Sequence, residues 1–210
     1  MDLRLQRAPV TASGPASRAP SQARDGAHSL RAAVLFTDMR SSSELVTRVS
    51  PHAFFGILNR VLGPQASCVR AHQGRVVKFT GDGLLAVFEG ERRCRAALQA
   101  ACALAAASTG SELPYGVGLA EGWVMAGPVG GEAPGLPLQF DVIGATVHLA
   151  ARLCESAGPG EAVTTGEVWR EAGLQPKDAA WPRAWAESPI RLRGFAEPVS
   201  CVRLRCHPRG

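Results

Sequence analysis

The chain opens without a period. Residues 1–30 mix Ala, Ser, Pro and Arg, with neither a two-residue nor a 3.6-residue apolar repeat. That composition predicts a disordered tail, with the folded domain spanning 31–206. Ala32 to Thr37 is then a short apolar run that stops at Asp38, the pattern of a buried strand. Ser41-Ser42-Ser43-Glu44 offers N-cap chemistry for a helix that includes Leu45 and Val46. Ser50-Pro51 starts another helix, with Phe54, Phe55, Leu58, Val61 and Leu62 on one face. Gly63-Pro64 is expected to break or kink it before it resumes to about His72.

After a turn at Gln73-Gly74 the pattern becomes that of strands. Arg75–Phe79 and Leu84–Phe88 face each other across Thr80-Gly81-Asp82-Gly83, whose glycines permit a positive-φ hairpin. Residues 91–108 form an Ala-rich helix closed by Gly110. Tyr115–Ala120 and Trp123–Ala126 read as a pair of strands, and Gly127–Pro137 as a Gly/Pro loop. Phe140–Ile143 reads as a strand, and Gly144 opens a helix over Ala145–Ala157. A strand, a helix and two more strands fill 161–206.

This order predicts an α+β, ferredoxin-like βαββαβ core with a mostly antiparallel sheet and a C-terminal extension. Helices are expected over one sheet face. The end of the first strand and the hairpin then lie side by side, which brings Asp38 near Asp82.

Composition changes this picture little. An apolar content of 46% supports a real core. The six cysteines form no CxxC pair and no zinc spacing, and they sit in apolar periodic segments. They read as reduced core thiols of a cytoplasmic protein. The net charge of +5 collects partly at the ends, on Arg4, Arg7, Arg18 and Arg24 and on Arg203, Arg205 and Arg209. Without a basic stripe interleaved with aromatics, it does not point to nucleic acid. No apolar run approaches the ~18 residues of a membrane span, and the start lacks the apolar segment of a secretory signal.

The candidate chemistry lies in the two aspartates. Each alone is a common turn residue. Together on adjacent strands they are hard oxygen ligands for Mg²⁺ or Mn²⁺, suited to two-metal phosphoryl transfer. The helix start after Asp38, at Ser41 and Ser42, offers free backbone N–H groups to phosphate. His52, His72 and Cys68 read as packing or surface residues. By themselves, Lys78 reads equally as an edge-strand lysine, Asp141 as a cap, and Arg152 as part of a solvated helix face.

Four blocks in order carry a family resemblance. Phe36-Thr37-Asp38-Met39-Arg40-Ser41-Ser42-Ser43 resembles F-x-D-(I/L/M)-x-G-(F/S)-T, the first metal motif of the class III adenylate/guanylate cyclases. Lys78 to Phe88 resembles their hairpin K-x-x-G-D-(G/A)-x-(M/L)-A-x-F. Phe140 to Leu153 resembles (Y/F)-(D/T)-x-x-G-x-x-V-N-x-A-(A/S)-R-(L/M), and Leu192 to Val199 resembles L-(K/R)-G-F-x-x-P-V. The resemblance spans about Arg31 to Arg205.

It implies an adenylate cyclase that converts ATP to 3′,5′-cyclic AMP and pyrophosphate with two divalent cations, at sites shared across a homodimer. Asp38 and Asp82 would hold the metals, with the Met39 carbonyl as an extra ligand. Lys78 and Asp141 match the base-reading pair, and their identities favour adenine. Arg152 matches the arginine that stabilises charge on the α-phosphate, and Arg193 matches a triphosphate contact. Two positions depart from the pattern. His148 stands where Asn usually orients the ribose, and Ser41 stands where Gly is usual, with a Cβ that would narrow the loop or forbid a positive φ. These departures raise two alternatives: a weakly active or inactive nucleotide-binding regulatory domain, and a cyclase for GTP or a pyrimidine nucleotide.

Overall fold

The computed structural model describes residues 26–130, 138–175, 182 and 184–206. Its elements are β1 (His28–Met39), α1 (Ser42–Val46), α2 (Pro51–Ala71), β2 (Arg75–Phe79), β3 (Gly83–Phe88), α3 (Arg93–Ser108) and β4 (Tyr115–Val129). There follow β5 (Gln139–Ile143), α4 (Ala145–Ser156), β6 (Glu161–Thr165), α5 (Gly166–Ala172), β7 (Ala184–Ile190) and β8 (Val199–Arg205). The strands form one sheet in the order β2-β3-β1-β4-β6-β8-β7, with β5 paired to β4 off that path. Only the β4–β6 pairing is parallel among the described strands. The α+β arrangement is therefore the one the pattern predicts, extended by β5 to β8.

Alternation along β1 and β3 sends side chains to two cores. Ala33, Leu35, Leu84, Ala86 and Phe88 pack with residues of α2, α3 and α5. Ala32, Val34, Leu85 and Val87 pack on the other face with Ala150 and Leu153 of α4. Helices thus cover parts of both faces, not one as expected. No helix among the described residues is long and apolar enough to cross a membrane. All six cysteines are free thiols, and five of them are buried.

Four local expectations are corrected. Helix α2 runs unbroken through Pro64, because Val61, Leu62, Gln65 and Val69 are buried around it and hold both halves in place. Its start is as expected, with the Ser50 hydroxyl accepting from the Ala53 N–H at 3.2 Å. The supposed strand pair at Tyr115–Ala126 is one strand, β4, which stays in register with β1 from His28↔Ala126 to Met39↔Tyr115. Glu121-Gly122 looks like a turn in composition. In the fold, Glu121 turns inward to accept from Arg31 at 2.7 Å and Arg93 at 2.8 Å. Finally, β1 begins at His28, inside the segment 1–30 expected as a tail; residues 1–25 lie outside those described. Likewise β4 takes up Gly127–Val129 of the expected 127–137 loop, and 131–137 lie outside the described residues.

The β2–β3 hairpin fits against β1 at one very close point. A Cβ added at Gly83 would lie 1.9 Å from the Thr37 carbonyl oxygen. Glycine alone permits that approach. Gly83→Ala is expected to force the hairpin off β1 and destabilise the domain by about 3 kcal/mol or more, at the upper end for overpacking. Chemical denaturation followed by circular dichroism measures it; a loss within about 0.5 kcal/mol would show that the hairpin can yield.

Candidate active site

The close fit at Gly83 sets the metal candidates together. Asp38 lies opposite Gly83 in the ladder, and the Met39 N–H donates to the Asp82 carbonyl at 3.0 Å. Behind them a buried network fixes both strands. The Thr37 hydroxyl donates to Gln65 Oε1 at 2.6 Å and accepts from the Leu84 N–H at 3.1 Å. Thr37 and Gln65 are each 1% exposed. The two residues that adjoin Asp38 and Gly83 are therefore tied to one amide from α2.

The carboxylates have different first contacts. Asp38 accepts from Arg40 at 2.7 Å, and Asp82 accepts from the Ser42 hydroxyl. Burial first, and the Asp82 charge second, push the Asp38 carboxyl above the usual carboxylate range; Arg40 opposes them, and Glu155 adds a smaller push. A half-buried carboxylate facing a second carboxylate is a set that a cation would relieve. Among the described residues no group of three or more His, Cys, Asp or Glu gathers to enclose a metal. A two-carboxylate set nevertheless fits Mg²⁺ or Mn²⁺ that takes its remaining ligands from water and phosphate. Met39 is available only through its main chain, since its side chain is 3% exposed in the core.

Ser41 adopts φ 60°, the left-handed conformation. The residue that replaces the expected glycine thus keeps the backbone that glycine would give. It begins α1 with no side-chain cap, and its carbonyl accepts from the Leu45 N–H at 3.0 Å.

A second pair is built on β2 and β5, and α4 carries further candidates. Lys78 Nζ donates to Asp141 Oδ2 at 2.6 Å, and Asp141 Oδ1 accepts from the Val142 N–H at 2.8 Å. Arg75 lies over the Phe140 ring, 3.9 Å from its centroid, and helps hold β5 against β2. Along α4, His148, Arg152 and Glu155 share one face at spacings of four and three. Arg152 is half-buried and paired with Glu155, whereas His148 is exposed.

Arg193 belongs to neither group within the chain. It is exposed in the turn between β7 and β8. The register through β8, β6 and β4 puts that turn at the end of the sheet opposite Asp38. The sequence reading missed Arg40, Gln65 and Glu155. Arg40 carried a signal, a cation between Asp38 and Ser41; its acceptors on α4, 114 and 117 residues away, did not.

The class of protein follows from likeness to known proteins. The family "Adenylate and Guanylate cyclase catalytic domain" matches residues 27–171. The chain belongs to that family. The uncharacterized protein MT1361 of Mycobacterium tuberculosis is 31% identical over 193 residues, covering 88% of this chain and 33% of the relative. The uncharacterized protein Rv1320c of the same species is 34% identical over 182 residues, covering 83% of this chain and 31% of the relative. The chain thus spans about a third of the curated relatives it matches.

Among solved structures, the adenylyl cyclase CyaB from P. aeruginosa superposes with a TM-score of 0.74 at 20% identity, covering 87% of this chain and 97% of that one. The guanylyl cyclase Cya2 superposes at 0.75 and 20%, covering 88% and 96%. The guanylate cyclase domain of RhGC from Catenaria anguillulae, in complex with GTP, superposes at 0.72 and 16%, covering 85% and 97%. At these identities the likeness establishes the class III cyclase fold.

The strain at Ser41 is directly measurable. Ser41→Gly is expected to stabilise the domain by about 1 kcal/mol, the scale of a left-handed conformation for an L-residue. A denaturation midpoint that moves down would contradict the strain.

Proposed function

We propose that the chain is an adenylate cyclase catalytic domain, forming 3′,5′-cyclic AMP and pyrophosphate from ATP at sites shared between two copies. The observation that carries the choice of base is the Lys78–Asp141 pair at 2.6 Å. A lysine donor and a carboxylate acceptor side by side complement adenine, with Lys78 donating to N1 and Asp141 accepting from the exocyclic amine. Guanine offers the reverse polarity at both positions and would leave these half-buried groups unpaired. In the free chain the two residues satisfy each other, so base binding exchanges one ion pair for two directed bonds.

Asp38 and Asp82 would hold two divalent cations, with the Met39 carbonyl as a further ligand. When bound, such cations neutralise the phosphates and ease loss of the 3′-hydroxyl proton. Ser41 and Ser42, at the start of α1 beside Asp82, would line the phosphate end. Arg152 would leave Glu155 to meet the charge that grows on the α-phosphate as the 3′-oxygen–phosphorus bond forms and the bond to pyrophosphate breaks. His148 would donate to the ribose from the exposed face of α4. Arg193, far from Asp38 within one chain, would reach a triphosphate only across the dimer.

Support for a shared site comes from the division of these residues. Asp82 is hydrogen-bonded to Ser42 and Asp38 to Arg40, whereas Lys78 and Asp141 pair with each other; no hydrogen bond among the described residues joins the two aspartates to the Lys78–Asp141 pair. The second reading, a slow or inactive regulatory domain, rests on His148 in place of the usual Asn.

Incubating the purified chain with each of ATP, GTP, CTP and UTP and Mn²⁺ tests the assignment. ATP is expected to give the cyclic product at a rate at least tenfold above the others, about 1.4 kcal/mol of discrimination. No product from any nucleotide by a folded dimer would contradict the enzyme reading, and preference for GTP would contradict the base assignment. Asp82→Ala is expected to lose about 100-fold or more in kcat; full activity would contradict the metal role. His148→Asn is expected to raise kcat, and an unchanged rate would clear His148 of limiting turnover.

A further inference from the structure

Arg40 does more than neutralise Asp38. Its guanidinium makes three bonds at once. One nitrogen donates to Asp38 at 2.7 Å, and another donates to the Cys154 carbonyl at 2.5 Å and the Ala157 carbonyl at 2.9 Å. Those carbonyls belong to the last turn of α4 and the residue just after it. The Cys154 carbonyl also accepts from the Ala157 N–H at 3.0 Å, so Arg40 is its second donor, while the Ala157 carbonyl lies past the end of the helix ladder. The last turn of α4 contains no basic residue. Arg40, just past the end of β1, supplies the cation that a helix C-terminus favours.

The slot is built for that side chain. A Cβ at Gly116, opposite Asp38 in the ladder, would lie 2.3 Å from an Arg40 guanidinium nitrogen and 2.9 Å from the Ala157 carbonyl oxygen. The missing side chain at Gly116 leaves room for the guanidinium between β4 and the end of α4. The Arg40 N–H also donates to the Pro114 carbonyl at 2.8 Å, which fixes its main chain. The arginine side chain is only 22% exposed.

We propose that Arg40 is a positioning residue that couples cation binding at Asp38 to the placement of α4, and so to Arg152 and His148. This rests on the cyclase reading of those three residues. One guanidinium is shared between a carboxylate and two helix-end carbonyls. When a divalent cation takes the Asp38 charge, the guanidinium has only the carbonyls left, and its hold on α4 tightens. Conversely, α4 held firmly draws the guanidinium away from Asp38 and leaves that carboxylate freer for a cation. Linkage makes the two effects equal. If Asp38 and Arg152 of one chain serve different sites of a dimer, the same contact links the two sites.

Three readouts on the full chain separate this from a merely structural cap. Mn²⁺ affinity is measured by electron paramagnetic resonance, kcat with ATP, and amide exchange over residues 145–157 with and without Mn²⁺. In the wild type, saturating Mn²⁺ is expected to slow exchange at the end of α4 about threefold. Arg40→Gln is expected to bind Mn²⁺ about threefold more tightly, since an opposing charge is gone. It should also lose the exchange response and drop kcat about tenfold or more.

Arg40→Lys keeps the charge without the planar fork. It should keep wild-type Mn²⁺ affinity, yet lose kcat and the exchange response, and it carries the test if the Gln variant fails to fold. Unchanged Mn²⁺ affinity in Arg40→Gln, or an exchange response that persists in Arg40→Lys, overturns the coupling. If the wild type forms no cyclic nucleotide, the cyclase reading fails, while the Mn²⁺ and exchange measurements still decide whether Asp38 and α4 are linked.

Discussion

Everything at the Asp38–Asp82 end of this fold depends on the contact of Gly83 with the Thr37 carbonyl. Strand β3 approaches β1 so closely there that no side chain fits. The approach carries the hairpin tip forward until the Asp82 carbonyl accepts from the Met39 N–H and the Asp82 carboxylate stands beside Asp38. Two carboxylates forced together are unfavourable on their own. The protein holds them with Arg40, the Ser42 hydroxyl and the Thr37–Gln65 network behind. The local cost is carried by the two cores on either side of the sheet, which fix β1 and β3 from both faces.

The second constraint is that α4 must be placed by the same sheet. Glycines on β4 make this contact close. A Cβ at Gly118 would meet the Ala150 carbonyl and the Cys154 nitrogen at 2.2 Å, so α4 lies almost on the β4 backbone. Arg40 then closes the gap between the end of that helix and Asp38. On the proposed reading, the end of β1 and the residue just past it thereby govern both the metal ligands and the helix that carries Arg152 and His148.

Much of this was legible in the sequence. The apolar run ending at Asp38, the glycine-flanked Asp82 and the Ala-rich helix each have a local cause that spacing reveals. Lys78 and Asp141 were legible as members of motifs, and the structure brings them into contact across 63 positions. What was hidden is non-local. Pro64 sits inside α2 because buried neighbours outweigh one lost hydrogen bond, a tertiary effect that no window around Gly63-Pro64 contains. Glu121-Gly122 reads as a turn until its partners Arg31 and Arg93 are known. Ser41 reads as an obstacle to a left-handed loop, yet it adopts that conformation. The full roles of Arg40 and Gln65 were hidden because they depend on distant partners: carbonyls that accept from Arg40 114 and 117 residues away, and the Thr37 hydroxyl that donates to Gln65 from 28 residues away.

The central claim is that Asp38 and Asp82 act as one cation site. The most direct measurement is the electron paramagnetic resonance spectrum of Mn²⁺ bound to the chain with a non-cyclisable ATP analogue. Two ions sharing two carboxylates at about 3.5–4 Å predict an exchange-coupled Mn²⁺ pair that disappears in Asp38→Asn. A spectrum of isolated Mn²⁺ bound only through the nucleotide, identical in the wild type and Asp38→Asn, would contradict it.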